Sequence, residues 1–166
     1  LNVSPVHRRA PGRADERVAV LEANGMQPAQ LQRDLGQVPA VPDAQLLASL
    51  RALKAADIQL ALDDFGSAGA TLASLQQLPL DIVKIDRAFV AQADAQEHHR
   101  VLISATVQMA RALTMTTLAK GIETAEQAAL MAALGCDHGQ GWLYGRPMTA
   151  AALDRWIEHE ASDSLV

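Results

Sequence analysis

Aromatic residues are scarce in this chain of 166 residues, where two Trp, one Tyr and two Phe make up only 3%. Any core it buries is therefore aliphatic. Hydrophobic residues at 49% are enough for a globular α/β domain and exclude a disordered polar segment. Cysteine is nearly absent. The lone Cys136 excludes an intramolecular disulfide framework and suits a reducing, cytoplasmic setting. Positive charge is in deficit, with 14 Lys and Arg against 19 Asp and Glu and a net charge of -5. That excludes the overall basic field a DNA or RNA polymer needs, while leaving room for a local site that takes a small phosphate ligand. No apolar run reaches transmembrane length, and Leu1 is soon followed by His7, Arg8 and Arg9, unlike a secretory signal. Neither GxGxxG nor GxxxxGK(S/T) occurs, so the two common glycine-rich phosphate loops are missing.

What is present is an alternation of short β-like runs with longer helical ones. Residues 1–4 alternate apolar and polar, and 14–24 carry Val18 and Leu21 at helical spacing before Gly25. Residues 31–35 form a weak strand placed by its neighbours. Asp43 is a candidate N-cap for a helix through 56, with Leu46, Leu47, Leu50 and Leu53 as its buried stripe. Strands are then expected at 58–63, 80–85, 115–119 and 137–143, and helices at 70–77, 96–113, 125–134 and 150–160. Pro79 closes the first of these helices and Thr124 caps the third. Repeated strand–helix units predict parallel strands with right-handed crossovers, either a barrel or a doubly wound sheet. Strands ending on Asp63, Lys84, Lys120 and Gln140 favour the barrel, whose site draws on many strand ends.

The sharpest local motif is Asp63-Asp64-Phe65-Gly66 at a strand end. Two adjacent carboxylates repel unless a cation lies near them. Taken alone, the tetrapeptide fits equally a turn capped by Asp64 with Asp63 solvated. Its context is more specific. Leu80-Asp81-Ile82-Val83-Lys84-Ile85-Asp86-Arg87 follows, then Gly121-Ile122-Glu123-Thr124 before Glu126-Gln127, then Gly135-Cys136-Asp137 leading to Gln140-Gly141. From Leu1 to about Pro147-Met148, this ordered set resembles the EAL family of cyclic dimeric GMP phosphodiesterases.

The resemblance implies a TIM-type (β/α)8 barrel, two Mg²⁺ or Mn²⁺ ions, and hydrolysis of one phosphodiester to linear pGpG. It further implies that Asn2, Asp34, Asp63 and Asp64 stand at metal-binding positions and Lys84 at the lysine that orients the attacking water. Glu123 falls in the acidic turn beside the site and Gln140 near the substrate. Trp142 and Tyr144 are candidates to stack on a guanine, or equally to pack the barrel end.

Against the family pattern stand three departures. The Glu-Ala-Leu segment would lie upstream of Leu1, so the expected fold is an incomplete barrel of about six βα units without the N-terminal strands, since a full barrel takes about 250 residues. Its expected extent is residues 1–160, with 161–166 as a tail. Asp34, in Leu31-Gln32-Arg33-Asp34-Leu35-Gly36-Gln37, is one methylene shorter than the family's glutamate; Gln37 replaces a second one, and the loop 67–71 has lost its usual pattern. Most consequential is Ala119-Lys120-Gly121 where the family has Ala-Glu-Gly, a reversal of charge. Lys120 is expected to pair with Asp63 or Asp64 and to stand in part for the metal charge.

The resulting expectation is a degenerate, catalytically silent module of cyclic dimeric GMP signalling, with weak or no metal binding, acting through the dinucleotide or a protein partner. Attached signalling domains and a dimer are compatible with it. The alternative is an active metal-dependent phosphodiesterase once the N-terminal part is supplied.

Overall fold

The computed structural model describes residues 13–36, 38–39, 41–66 and 72–163. In chain order it forms α1 (Arg13–Ala23), a 3-10 turn (Pro28–Gln30), β1 (Gln32–Leu35), α2 (Ala44–Ala55), β2 (Gln59–Phe65) and α3 (Leu72–Gln77). Then come β3 (Ile82–Ile85), α4 (Arg87–Gln92), α5 (Glu97–Ala112), β4 (Thr116–Lys120), α6 (Ala125–Ala133), β5 (His138–Gln140) and α7 (Ala150–Asp163). The strand expected at 1–4, with Asn2, lies outside the described residues, as do Gln37 and the loop 67–71.

All five described strands are parallel and lie in chain order, β1-β2-β3-β4-β5. With right-handed crossovers, that order keeps every connecting helix on one side of the sheet. A doubly wound sheet instead reverses its strand order at a switch point, and no reversal occurs among the described strands. The sheet is thus an arc of a TIM-type barrel.

Strand alternation separates the two faces. Leu35, Leu60, Leu62 and Val83 meet Leu46, Leu50 and Leu53 of α2 in one aliphatic cluster. Ile85 and Ala119 meet Val90, Ile103, Val107 and Met131 of α4, α5 and α6 in another. Full burial of such a side chain contributes about 1.5–3 kcal/mol, so these rows fix which face turns inward. Asp34, Asp63, Lys84 and Lys120, at alternate positions, are left on the face away from the helices.

The caps follow the sequence. Asp43 accepts from the backbone N–H of Leu46 at 2.7 Å. In α6 the Thr124 hydroxyl accepts from Gln127 N–H at 3.2 Å, and the Gln127 side chain accepts from the N–H groups of Glu123 and Thr124. At the lower end of the sheet, Asp81 accepts from Leu60 N–H at 2.8 Å and from Lys54 Nζ at 2.6 Å. Asp137 accepts from the N–H and hydroxyl of the fully buried Thr117, both at 2.8 Å. Each of these aspartates precedes its own strand and ties the strand beside it.

Three elements differ most from expectation. The six residues of α4 form after Asp86, which accepts from Ala88 N–H at 2.7 Å; so short a helix shows no periodicity of its own. Helix α7 continues to Asp163, so the expected tail from 161 begins as helix. Strand β5 stops at Gln140 because Gly141 lies against the Ile122 backbone and the chain turns, with Tyr144 N–H donating to Gly141 C=O at 3.1 Å. Between α4 and α5, His99 packs edge-on against Phe89, with ring centroids 5.2 Å apart.

Candidate functional site

The upper rim of the sheet is shaped by an extra residue in β2. Leu62 pairs with Val83 but Phe65 pairs with Ile85, so three steps of one strand face two of the other. This bulge falls on Asp63-Asp64. In a regular strand adjacent side chains point to opposite faces. Here Asp64 adopts a left-handed φ of 53°, and its N–H donates to Asp63 Oδ1 at 3.0 Å. The turn brings both carboxylates to one point. Lys120 Nζ, from the end of β4, donates to Asp63 Oδ1 at 2.6 Å and Asp64 Oδ1 at 2.8 Å. Gly66 follows at φ 106°, and a Cβ there would come within 2.6 Å of the Phe89 ring, so only glycine fits.

A second ion pair lies deeper. Lys84 Nζ sits 2.8 Å from each oxygen of Asp34, and Gln32 donates to the same carboxylate at 2.8 Å. Lys84 and Asp34 side chains are 9% and 16% exposed, so this pair is well shielded from solvent. Burial pushes the Asp34 carboxyl upward, but the Lys84 and Gln32 hydrogen bonds and the Lys84 charge outweigh it, and it titrates below its ordinary range. For Lys120, burial works to lower the ammonium's pKa. The hydrogen bonds and charges of Asp63 and Asp64 outweigh that too, and it is raised above the ordinary value.

Glu123 and Gln140 are both exposed and line a cavity of about 730 Å³ together with Lys120, Trp142 and Tyr144. The same cavity is lined by Arg87 and Arg146, to which the sequence reading assigned no site role. Arg146 lies 4.9 Å from the centre of the Trp142 ring, a cation–π contact. Their signal was their place directly after a strand-end motif, in Lys84-Ile85-Asp86-Arg87 and in Gln140-Gly141-Trp142-Leu143-Tyr144-Gly145-Arg146. Of the expected metal-binding positions, Asp63 and Asp64 come together and Asp34 lies in the neighbouring ion pair. Among the described residues, no group of three or more His, Cys, Asp or Glu side chains is placed to hold a metal ion.

A model of the EAL domain family matches residues 2–147. The chain belongs to the EAL domain family. Among curated relatives, it is 32% identical over 154 residues to the bifunctional diguanylate cyclase/cyclic di-GMP phosphodiesterase MucR of Pseudomonas aeruginosa, a match that covers 92% of this chain and 22% of MucR. The solved PaMucR phosphodiesterase–c-di-GMP complex superposes with a TM-score of 0.82 at 32% identity, over 92% of this chain and 62% of that one. The EAL domain of Mycobacterium smegmatis DcpA gives 0.88 at 27% identity, over 95% and 71%. A manganese and cyclic di-GMP complex of Klebsiella pneumoniae BlrP1 gives 0.82 at 26%, over 89% and 38%. This EAL domain thus spans about a fifth of the length of curated relatives such as MucR. Divalent metals accompany solved members of the family, and no helix among its own described residues is long and apolar enough to cross a membrane.

Proposed function

We propose that this EAL domain serves cyclic di-GMP signalling by binding, to the dinucleotide or to a protein partner, and does not hydrolyse the phosphodiester. The observation that carries this reading is the double hydrogen bond from Lys120 to Asp63 and Asp64. The family's chemistry calls for acidic oxygens around divalent ions that clamp a phosphate and activate water. The donor set here fits that pair of ions poorly. An ammonium engages the two adjacent carboxylates, and Asp34 is held by Lys84. Lysine brings donors where the ions need acceptors.

Binding needs less than catalysis does. The cavity beside Lys120 offers Trp142 and Tyr144 as flat surfaces, Arg87 and Arg146 as cations, and Gln140 as a hydrogen-bonding group. Such a set suits a base-bearing phosphate ligand without a metal. The cytoplasm, where such a dinucleotide signals, is the compartment this reading requires.

Asp63, Asp64, Lys84 and Gln140 are all retained, which favours a second reading: an active metal-dependent phosphodiesterase within a complete barrel. Titration calorimetry with cyclic di-GMP, with and without Mn²⁺, run beside an assay for pGpG, separates the two. Binding without turnover is the expected result. Turnover at a rate typical of enzymes would establish the second reading in its place.

A further inference from the structure

Resting on the reading above, and deepening it at the same site, we infer that Lys120 is a tethered cation that fills the position of a divalent ion and makes the upper rim metal-independent. Charge and geometry carry this together. Asp34, Asp63 and Asp64 face Lys84 and Lys120, which leaves a single net negative charge spread over two ion pairs. A divalent cation entering there must displace an ammonium already within 2.6 and 2.8 Å of both strand-end carboxylates. It would gain ligands that are already neutralised and meet Lys120 as a like charge.

The bulge points the same way. Asp64 is held at a left-handed φ of 53°, a conformation that costs a non-glycine residue energy and persists only where contacts enforce it. Its hydrogen bond to Lys120, at 2.8 Å, is one such contact. The backbone just beyond Lys120 is constrained, because Gly121 follows at φ 75° with Arg87 packed where a Cβ would stand. From the end of β4 the ammonium reaches both carboxylates.

Reversing this one charge turns the rim into a cation site. Lys120→Glu places a fourth carboxylate beside Asp34, Asp63 and Asp64 with Lys84 as the remaining ammonium. Lys120→Met removes the tethered cation without adding a ligand. The test is Mn²⁺ titration of the full chain and both variants, read by loss of the free-ion paramagnetic resonance signal and by the rise in melting temperature with Mn²⁺. The wild type is expected to show neither response. Lys120→Glu should bind at least about a hundredfold more tightly than the wild type, with Lys120→Met between them. Wild-type binding as tight as that of Lys120→Glu overturns the inference. So does a Lys120→Glu chain that folds, by circular dichroism, and still ignores Mn²⁺; if that variant does not fold, Lys120→Met gaining no affinity does the same. Failure of the functional reading is seen separately, as pGpG production by the wild type, and metal-free turnover would sink that reading while leaving this inference standing.

Discussion

At the lower end of the sheet Lys54 holds Asp81 at 2.6 Å, and at the upper end Lys120 holds Asp63 at the same distance. The residue types and the contact match, yet their settings differ. Asp81 also accepts the backbone N–H of Leu60, on the neighbouring strand, and Asp137 does the same for Thr117. A carboxylate that satisfies a buried strand amide is part of the ladder, and its lysine is an addition. At the upper end the carboxylates come from strand ends and a bulge, and the lysines arrive from strands β3 and β4 across the inward face. In an α/β barrel, features of the lower face serve stability, and the upper face carries ligands. The same ion pair can thus belong to the scaffold or to the site, and its other partners tell which.

The largest effect expected from breaking this comparison is at Lys84. Its loss leaves the Asp34 carboxylate shielded and without its cation, so Lys84→Met should cost about 3 kcal/mol in urea unfolding. Removing both charges together, as Lys84→Met with Asp34→Leu, should recover most of that loss. If the single variant costs no more than about 1 kcal/mol, the deep pair behaves like an exposed surface bridge and the contrast between the ends collapses.

Next comes Asp137. Asp137→Ala strips the partner from the N–H and hydroxyl of Thr117, which have no access to water, at a cost of about 2 kcal/mol. Cyclic di-GMP affinity, measured on folded protein, should be unchanged. A clear fall in affinity would mean that the lower end also shapes the site.

Much of this contrast could be read in the sequence, though unevenly. Strand ends at Asp63 and Lys120 were evident because each closes an apolar run, and the pairing of Lys120 with the Asp63–Asp64 turn followed from strand ends converging at one mouth. Thr124 with Gln127, and Asp43, announced their helices by local chemistry alone. The bulge did not show. Period-two alternation puts Asp63 and Asp64 on opposite faces, and only the left-handed φ of Asp64 reunites them. Asp81 and Asp137 were passed over as ordinary strand starts, because a hydrogen bond to the neighbouring strand's amide leaves no periodic trace. Their recurrence one residue before β3 and before β5 was the available signal.

The smallest effect, and the one that most sharpens the contrast, is the pH dependence of the upper rim. Lys120 is a quarter exposed, so solvent screens its pairs and the stability involved is modest. Its sign is fixed nonetheless. Its folded pKa lies above the ordinary 10.5, so the contribution is fully present below that value and fades as pH rises through the higher folded one. Asp34 behaves in the opposite sense: its folded pKa lies below 3.8, so its contribution is present above that value and fades as pH falls through the lower one. Melting temperatures of the wild type should therefore decline at both extremes. In Lys120→Met the alkaline decline should shrink while the acid one stays, since Asp34 keeps Lys84. Asp137, held low by the Thr117 hydrogen bonds, adds to the acid limb alone. An alkaline decline of equal size in Lys120→Met would show that Lys120 bears no net stabilising charge at the rim, and the two ends would then differ only in their backbone bonds.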